Sequence, residues 1–96
     1  MLPIIWNQSA LDDLAEIVCY IAESNPVAAR KLQTRIKASI KPVAVNPHIG
    51  REGSVAGTRE VIATANYIIV YQALAKTIEV KSIYHASQQY PKASTS

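Results

Sequence analysis

The residues able to do acid–base or phosphate chemistry are few and fall late in the chain: Arg59, Glu60, Lys81, His85 and Tyr90. Cutting an RNA strand without a metal needs a general base, a general acid and cations to hold the in-flight phosphate, so such groups must converge on one face. The set is thin. Arg59 beside Glu60 reads equally as a strand-edge ion pair, worth about 0–1 kcal/mol at a surface, and Lys81 near Glu79 as part of a solvated face. His48 and His85 lie far apart, and no ligand set of metal-binding spacing surrounds either, so no metal is expected. There is no Gly-rich phosphate loop after a strand and no Gly-x-Ser-x-Gly elbow, and no cofactor is expected. Cys19 has no second cysteine to pair with and reads as a small buried or half-buried hydrophobe.

These groups need a scaffold, and the composition allows a small one. With 96 residues, 49% hydrophobic and 18% charged, the chain can bury one core and is not disordered over most of its length. A single domain over residues 1–91 and a flexible tail over 92–96 are expected. The net charge of +3 suits an acidic or nucleic-acid-associated partner but falls short of a dedicated DNA-binding tail. No stretch approaches the roughly 20 apolar residues of a membrane span. Met1 to Trp6 lacks the positive region of a signal peptide, so a cytoplasmic address with no membrane partner is expected.

Pro3 to Trp6 reads as a first strand, and Ser9 as the N-cap of a helix with Asp12 as its capping-box acid. Leu11, Leu14, Val18 and Ile21, joined by Ala10 and Ile17, form that helix's apolar stripe. Asn25-Pro26 starts a second helix, since asparagine caps well and proline is tolerated at the first helical position. Ala29, Leu32, Ile36 and Ile40 make its stripe, and Arg30, Lys31, Arg35, Lys37 and Lys41 its basic side, which lacks the aromatics that stack on bases. Pro42 predicts a kink or an early end, and Asn46 to Thr58 a long loop. Arg59 to Ala63, Tyr67 to Ala73 and Thr77 to about His85 read as three strands at hairpin spacing, with Ile83 out of phase, which marks a bulge or a change of burial there.

The expected fold is α+β: a short N-terminal strand, an α-helical hairpin and a three-stranded antiparallel meander, with the helices on one face of the sheet. Tyr67 to Tyr71 is apolar at every position, the pattern of a strand covered on both faces. One helical layer covers one face, so either the chain's own loops or a docked partner must cover the other.

Placed on these elements, several motifs stand in order: Trp6, Ala10, Asp13-Leu14, Ile17, Tyr20-Ile21 and Asn25-Pro26-x-Ala28-Ala29. Pro47-x-x-Gly50-Arg51-x-Gly53, Gly57-Thr58-Arg59-Glu60, Tyr67-Ile68-Ile69-Val70-Tyr71 and His85-x-x-Gln88-x-Tyr90-Pro91 follow. In these motifs, from about Ile5 to Pro91, the chain resembles the ParE/RelE family of bacterial toxins from type II toxin–antitoxin modules. The resemblance implies a toxin neutralised by a cognate antitoxin, with operator DNA reached only indirectly through that antitoxin. It also implies one of two activities, inhibition of DNA gyrase by binding or ribosome-dependent cleavage of messenger RNA. The nuclease branch typically carries Arg in the central strand where Ile68 stands, and basic residues where Ala86, Ser87 and Gln88 follow the last strand. That favours a non-enzymatic gyrase inhibitor, with the endoribonuclease as alternative. Because many ParE-like relatives have Arg where Gln72 and Ser87 stand, a further alternative is an attenuated homologue that keeps only antitoxin binding. Arg59, His85, Gln88, Gln89 and Tyr90 are the candidates for target contact, and Tyr67, Ile69 and Tyr71 for antitoxin contact.

Overall fold

The apolar runs at the two ends of the chain meet in one sheet. The structure is a computed structural model and describes residues 1–87. In chain order it contains β1 (Ile4–Trp6), α1 (Gln8–Ala22), α2 (Pro26–Ser39), α3 (Lys41–Val45), β2 (Arg51–Glu52), β3 (Arg59–Ile62), β4 (Tyr67–Ala73) and β5 (Ile78–His85). The sheet order is β1-β5-β4-β3-β2, with β1 parallel to β5 and the remaining pairs antiparallel. The expected α+β plan is borne out, and the long loop adds a two-residue edge strand, β2, that periodicity cannot reveal.

Asn25 caps α2 through its Oδ1, which accepts from the amide of Ala28 at 3.0 Å, with Pro26 in the first turn. Pro42 follows an early helix end, as expected: α2 stops at Ser39 and α3 begins at Lys41. It sits in the first turn of α3, where its missing N–H costs no helical bond. The start of α1 differs from expectation. Asn7 is the N-cap, its side chain makes no capping bond, and Asp12 accepts instead from Gln8 Nε2 at 2.9 Å.

Ser9 has a longer-range task. Beyond Trp6, β1 leaves one side of β5 uncovered, and α1 takes over that edge. Asn7 N donates to Val80 O at 3.0 Å, Ser9 Oγ donates to Lys81 O at 2.6 Å, and Asp13 Oδ2 accepts from Ile83 N at 2.9 Å. The bulge expected from Ile83 makes this possible. Val70 pairs with Ser82 and Tyr71 with Val80, so Lys81 stands outside the register and the residues beyond it change phase.

The core lies between the helices and one sheet face: Ala10 and Leu14 from α1, Ile36 from α2, Val43 from α3, and Ile69, Tyr71, Ile78, Val80 and Ile83 from the sheet. Burying a residue such as Ile36, fully covered, contributes about 1.5–3 kcal/mol. Leu11 departs from its predicted stripe and is exposed, as is Cys19. Among the described residues no helix is long and apolar enough to cross a membrane.

Candidate functional site

Alternation along the strands sorts side chains between the helix-covered face and the opposite, open face. Tyr67, Ile69 and Tyr71 pack toward the helices, and Ile68, Val70 and Gln72 point the other way. Cross-strand register places Glu60 and Ser82 on either side of Val70, and Ile62 and Tyr84 on either side of Ile68, all on the open face.

That open face is roofed by its own side chains. Tyr84 on β5 reaches across β4, and its hydroxyl donates to Glu60 Oε1 on β3 at 3.1 Å. Arg51 on β2 closes on the same oxygen through Nε at 3.2 Å and Nη2 at 3.0 Å. Ile68 and Val70 are therefore only 8% and 0% exposed although no helix covers them. This intramolecular strap is the cover that the apolar run of β4 required.

Glu60 is itself only 5% exposed, whereas the Arg51 side chain is 60% exposed. The Glu60 hydrogen bond and charge raise the Arg51 pKa above its ordinary value. Burial, then the Glu60 hydrogen bond and charge, raise that of Tyr84, with Arg51 opposing. Glu60 Oε2 and Ser82 Oγ, both buried, have no hydrogen-bond partner among the described residues.

The expected Arg59–Glu60 ion pair does not form, because adjacent strand residues face opposite ways. Glu60 pairs with Arg51. Arg59 turns toward the long loop, where Nη1 donates to Gly50 O at 2.8 Å and to His48 O at 3.4 Å. The Tyr71 hydroxyl completes that clamp: it accepts from Gly50 N at 3.0 Å and donates to Pro47 O at 2.8 Å. A Cβ at position 50 would lie 2.7 Å from both Glu60 O and the Tyr71 hydroxyl, so only glycine allows this approach. Lys81, read as part of a solvated face, instead pairs with Glu79 at 3.0 Å, both side chains half-buried.

Of the proposed antitoxin contacts, Ile69 and Tyr71 are fully buried in the core and offer no surface to a partner; the alternation of β4 sends them under the helices. Tyr67 is half-buried and meets His85, a proposed target contact, edge-on with ring centroids 5.3 Å apart. Both line a groove of about 520 Å³ beside α1, with Asp13, Glu16, Ile17, Cys19, Tyr20, Glu23 and Ile83. Tyr20 stands 76% exposed on its rim. Gln88, Gln89 and Tyr90, and the tail expected beyond them, lie outside the described residues.

Arg51, Tyr84, Tyr20 and Asp13 were not singled out from the sequence as site residues. For Tyr84 a signal existed. Once a bulge is placed before Ile83, alternation puts Ser82 and Tyr84 on the face opposite Ile83. For Arg51, the signal would have been recognition of β2, too short for any periodicity. Among the described residues no group of three or more His, Cys, Asp and Glu is placed to hold a metal.

The same architecture occurs in known proteins. The P. aeruginosa chromosomal ParDE structure superposes with a TM-score of 0.79 at 24% identity, covering 88% of this chain and 96% of that one. The YoeB/ParE toxin from Agrobacterium tumefaciens gives 0.61 at 18% identity over 88% and 98%. In sequence, the Y4kP protein of Sinorhizobium fredii is 38% identical over 88 residues, 91% of each chain. Toxin RelE2 of Caulobacter vibrioides is 31% identical over 92% of this chain and 99% of its own. The model of the ParE toxin of the type II toxin–antitoxin system parDE matches residues 4–90. The chain therefore belongs to the ParE toxin family of type II toxin–antitoxin systems.

Proposed function

We propose that this toxin acts by binding rather than by catalysis, with DNA gyrase as its target and a cognate antitoxin as its neutralising partner. The observation that carries the reading is the state of Glu60. A general base must present a lone pair to a substrate hydroxyl at about 2.6–3.2 Å. Glu60 is almost wholly covered: its Oε1 already accepts from Arg51 and Tyr84, and its unpartnered Oε2 is buried away from any incoming hydroxyl. Arg51, the cation nearest to it, is held by this carboxylate, so a phosphate arriving there would meet a paired charge. Apolar Ile68 occupies the central-strand position where the nucleases of the wider family carry Arg.

The antitoxin is assigned to the groove beside α1. Ile17, Tyr67, Ile83 and the exposed Tyr20 supply apolar anchors for its segment.

The test runs two assays on the purified toxin. Gyrase supercoiling is expected to fall at micromolar toxin, and addition of the antitoxin to restore it. Full supercoiling at that concentration, together with cleaved messages in a translation extract, would reverse the assignment. One observation favours that second reading, a ribosome-dependent ribonuclease: Glu60, Arg51 and Tyr84 do converge within hydrogen-bond distance. It requires the strap to open on the ribosome.

A further inference from the structure

We propose that the outward side of α2 is a docking surface for the phosphate backbone of double-stranded DNA, contacted without regard to sequence. The proposal goes beyond gyrase as target and does not depend on it.

Charge is segregated along this chain. Residues 1–23 contain Asp12, Asp13, Glu16 and Glu23 and no Lys or Arg; residues 24–51 contain Arg30, Lys31, Arg35, Lys37, Lys41 and Arg51 and no Asp or Glu. Folding turns this pattern into an acidic helix α1 packed against a basic helix α2. Arg30, Lys31, Arg35 and Lys37 are all exposed. Among the described residues the salt bridges are Arg51–Glu60 and Lys81–Glu79, and none of the α2 cations takes part in one. Arg51, by contrast, is committed to Glu60.

The geometry is that of a trough. At 3.6 residues per turn, Lys37, Arg30, Thr34, Ala38, Lys31 and Arg35 fan over about 160° of one side of the helix. Thr34 and Ala38 form a low floor between Arg30 on one wall and Lys31 and Arg35 on the other. Ala29, Leu32 and Ile36 lie on the opposite side, against the core.

Two features select DNA over an acidic protein. Protein interfaces centre on aromatic or aliphatic anchors and are depleted of charge at the centre, whereas this surface carries four cations, its floor between them holds only a threonine and an alanine, and its one large exposed aliphatic side chain, Val27, stands about two turns before Thr34. A phosphate backbone asks for the reverse, closely spaced cations with little apolar contact. From Arg30 to Lys37 the helix rises about 10 Å, about three axial steps along one strand, the span of about four phosphates. With no aromatic on this side, bases are not read.

The experiment is fluorescence anisotropy of the full chain with a short labelled duplex of mixed sequence, without gyrase. Four phosphate contacts predict a slope of log K against log salt of about −3.6 and a weakening on the order of a hundredfold between about 50 and 200 mM salt. Arg30→Ala/Lys31→Ala/Arg35→Ala is expected to reduce the slope to about −0.9. Each single alanine variant should reduce it by about 0.9, which keeps the test available should the triple variant fold poorly. Ala75→Glu/Lys76→Glu lowers the net charge by the same three units in the exposed β4–β5 turn and should bind as the parent does. A salt-independent signal, an unaffected triple variant, or an equal loss in the turn variant overturns the proposal. So does polyglutamate competing as well as duplex at equal charge, which would assign the surface to an acidic protein. Because gyrase is absent, failure here leaves the gyrase reading untouched, and the reverse also holds.

Discussion

Tyr84 does for the open sheet face what a second helical layer would otherwise do, and Tyr71 ties down the long loop from the helix-covered face. Each sends a hydroxyl from the sheet to fix something that has little apolar surface of its own: Tyr71 the loop at Pro47 and Gly50, Tyr84 the Glu60–Arg51 strap. Tyr71→Phe leaves the buried Gly50 amide without its acceptor, a loss of about 1–3 kcal/mol. Gly50→Ala drives a methyl into Glu60 O and the Tyr71 hydroxyl, and overpacking of this kind costs about 1–3 kcal/mol or more. Urea midpoints of the two variants against the parent check both. The same phenols tie stability to alkaline pH. Burial raises both tyrosines above their ordinary value of 10.0, and Glu60 adds to the shift at Tyr84. A tyrosine with a raised folded-state pKa binds more protons folded than unfolded. Its contribution is whole below pH 10 and is lost as pH rises through the folded-state value. Urea midpoints measured upward from neutral pH should fall beyond pH 10, and more gently in Tyr71→Phe/Tyr84→Phe.

At the level of elements, β5 is secured along one edge first by a strand and then by a helix. Asp13 is the last tie, and Asp13→Ala strips the Ile83 amide of its acceptor, with an expected cost of about 1–3 kcal/mol. Hydrogen exchange at Ile83 should quicken more than at Val70, which lies in the middle of the sheet. Such ties mark where legibility ends. Ile83 out of phase announces the bulge, Asn25-Pro26 the helix start, and the stripes at Ala29, Leu32 and Ile36 the buried side of α2, because each effect is local in sequence. Ser9 and Asp13 carry the ordinary signature of a helix N-terminus. Their actual partners, Lys81 and Ile83, are some seventy residues away and become available only because β1 stops at Trp6. The end of that strand is legible, but its pairing beside β5, and so the vacancy it leaves there, is not. The strap is hidden for the same reason: Arg51, Glu60 and Tyr84 come from three strands, and their convergence depends on cross-strand register.

Taken whole, the molecule separates its surfaces: an apolar groove rimmed by acids beside α1, a cationic trough on α2, and a sheet face closed by its own strap. The all-apolar run of β4 raised the choice between a partner and the chain itself as cover for that face, and the strap provides the cover. The groove is then the place we propose for the partner segment, and there Tyr20 holds a ring largely in solvent. Substituting so exposed a residue should change folding by no more than about 0.5 kcal/mol, so its effect on binding can be read cleanly. Tyr20→Asp removes an aromatic anchor and adds a fourth carboxylate beside Asp13, Glu16 and Glu23, which a segment anchored by apolar side chains would have to desolvate. In cells co-expressing the antitoxin, the parent toxin should be silent and Tyr20→Asp should arrest growth, while without antitoxin the two should arrest growth equally. Equal neutralisation of both would move the antitoxin away from this groove. Loss of toxicity by Tyr20→Asp alone, without antitoxin, would place Tyr20 on the target surface instead, and the groove would then serve the target.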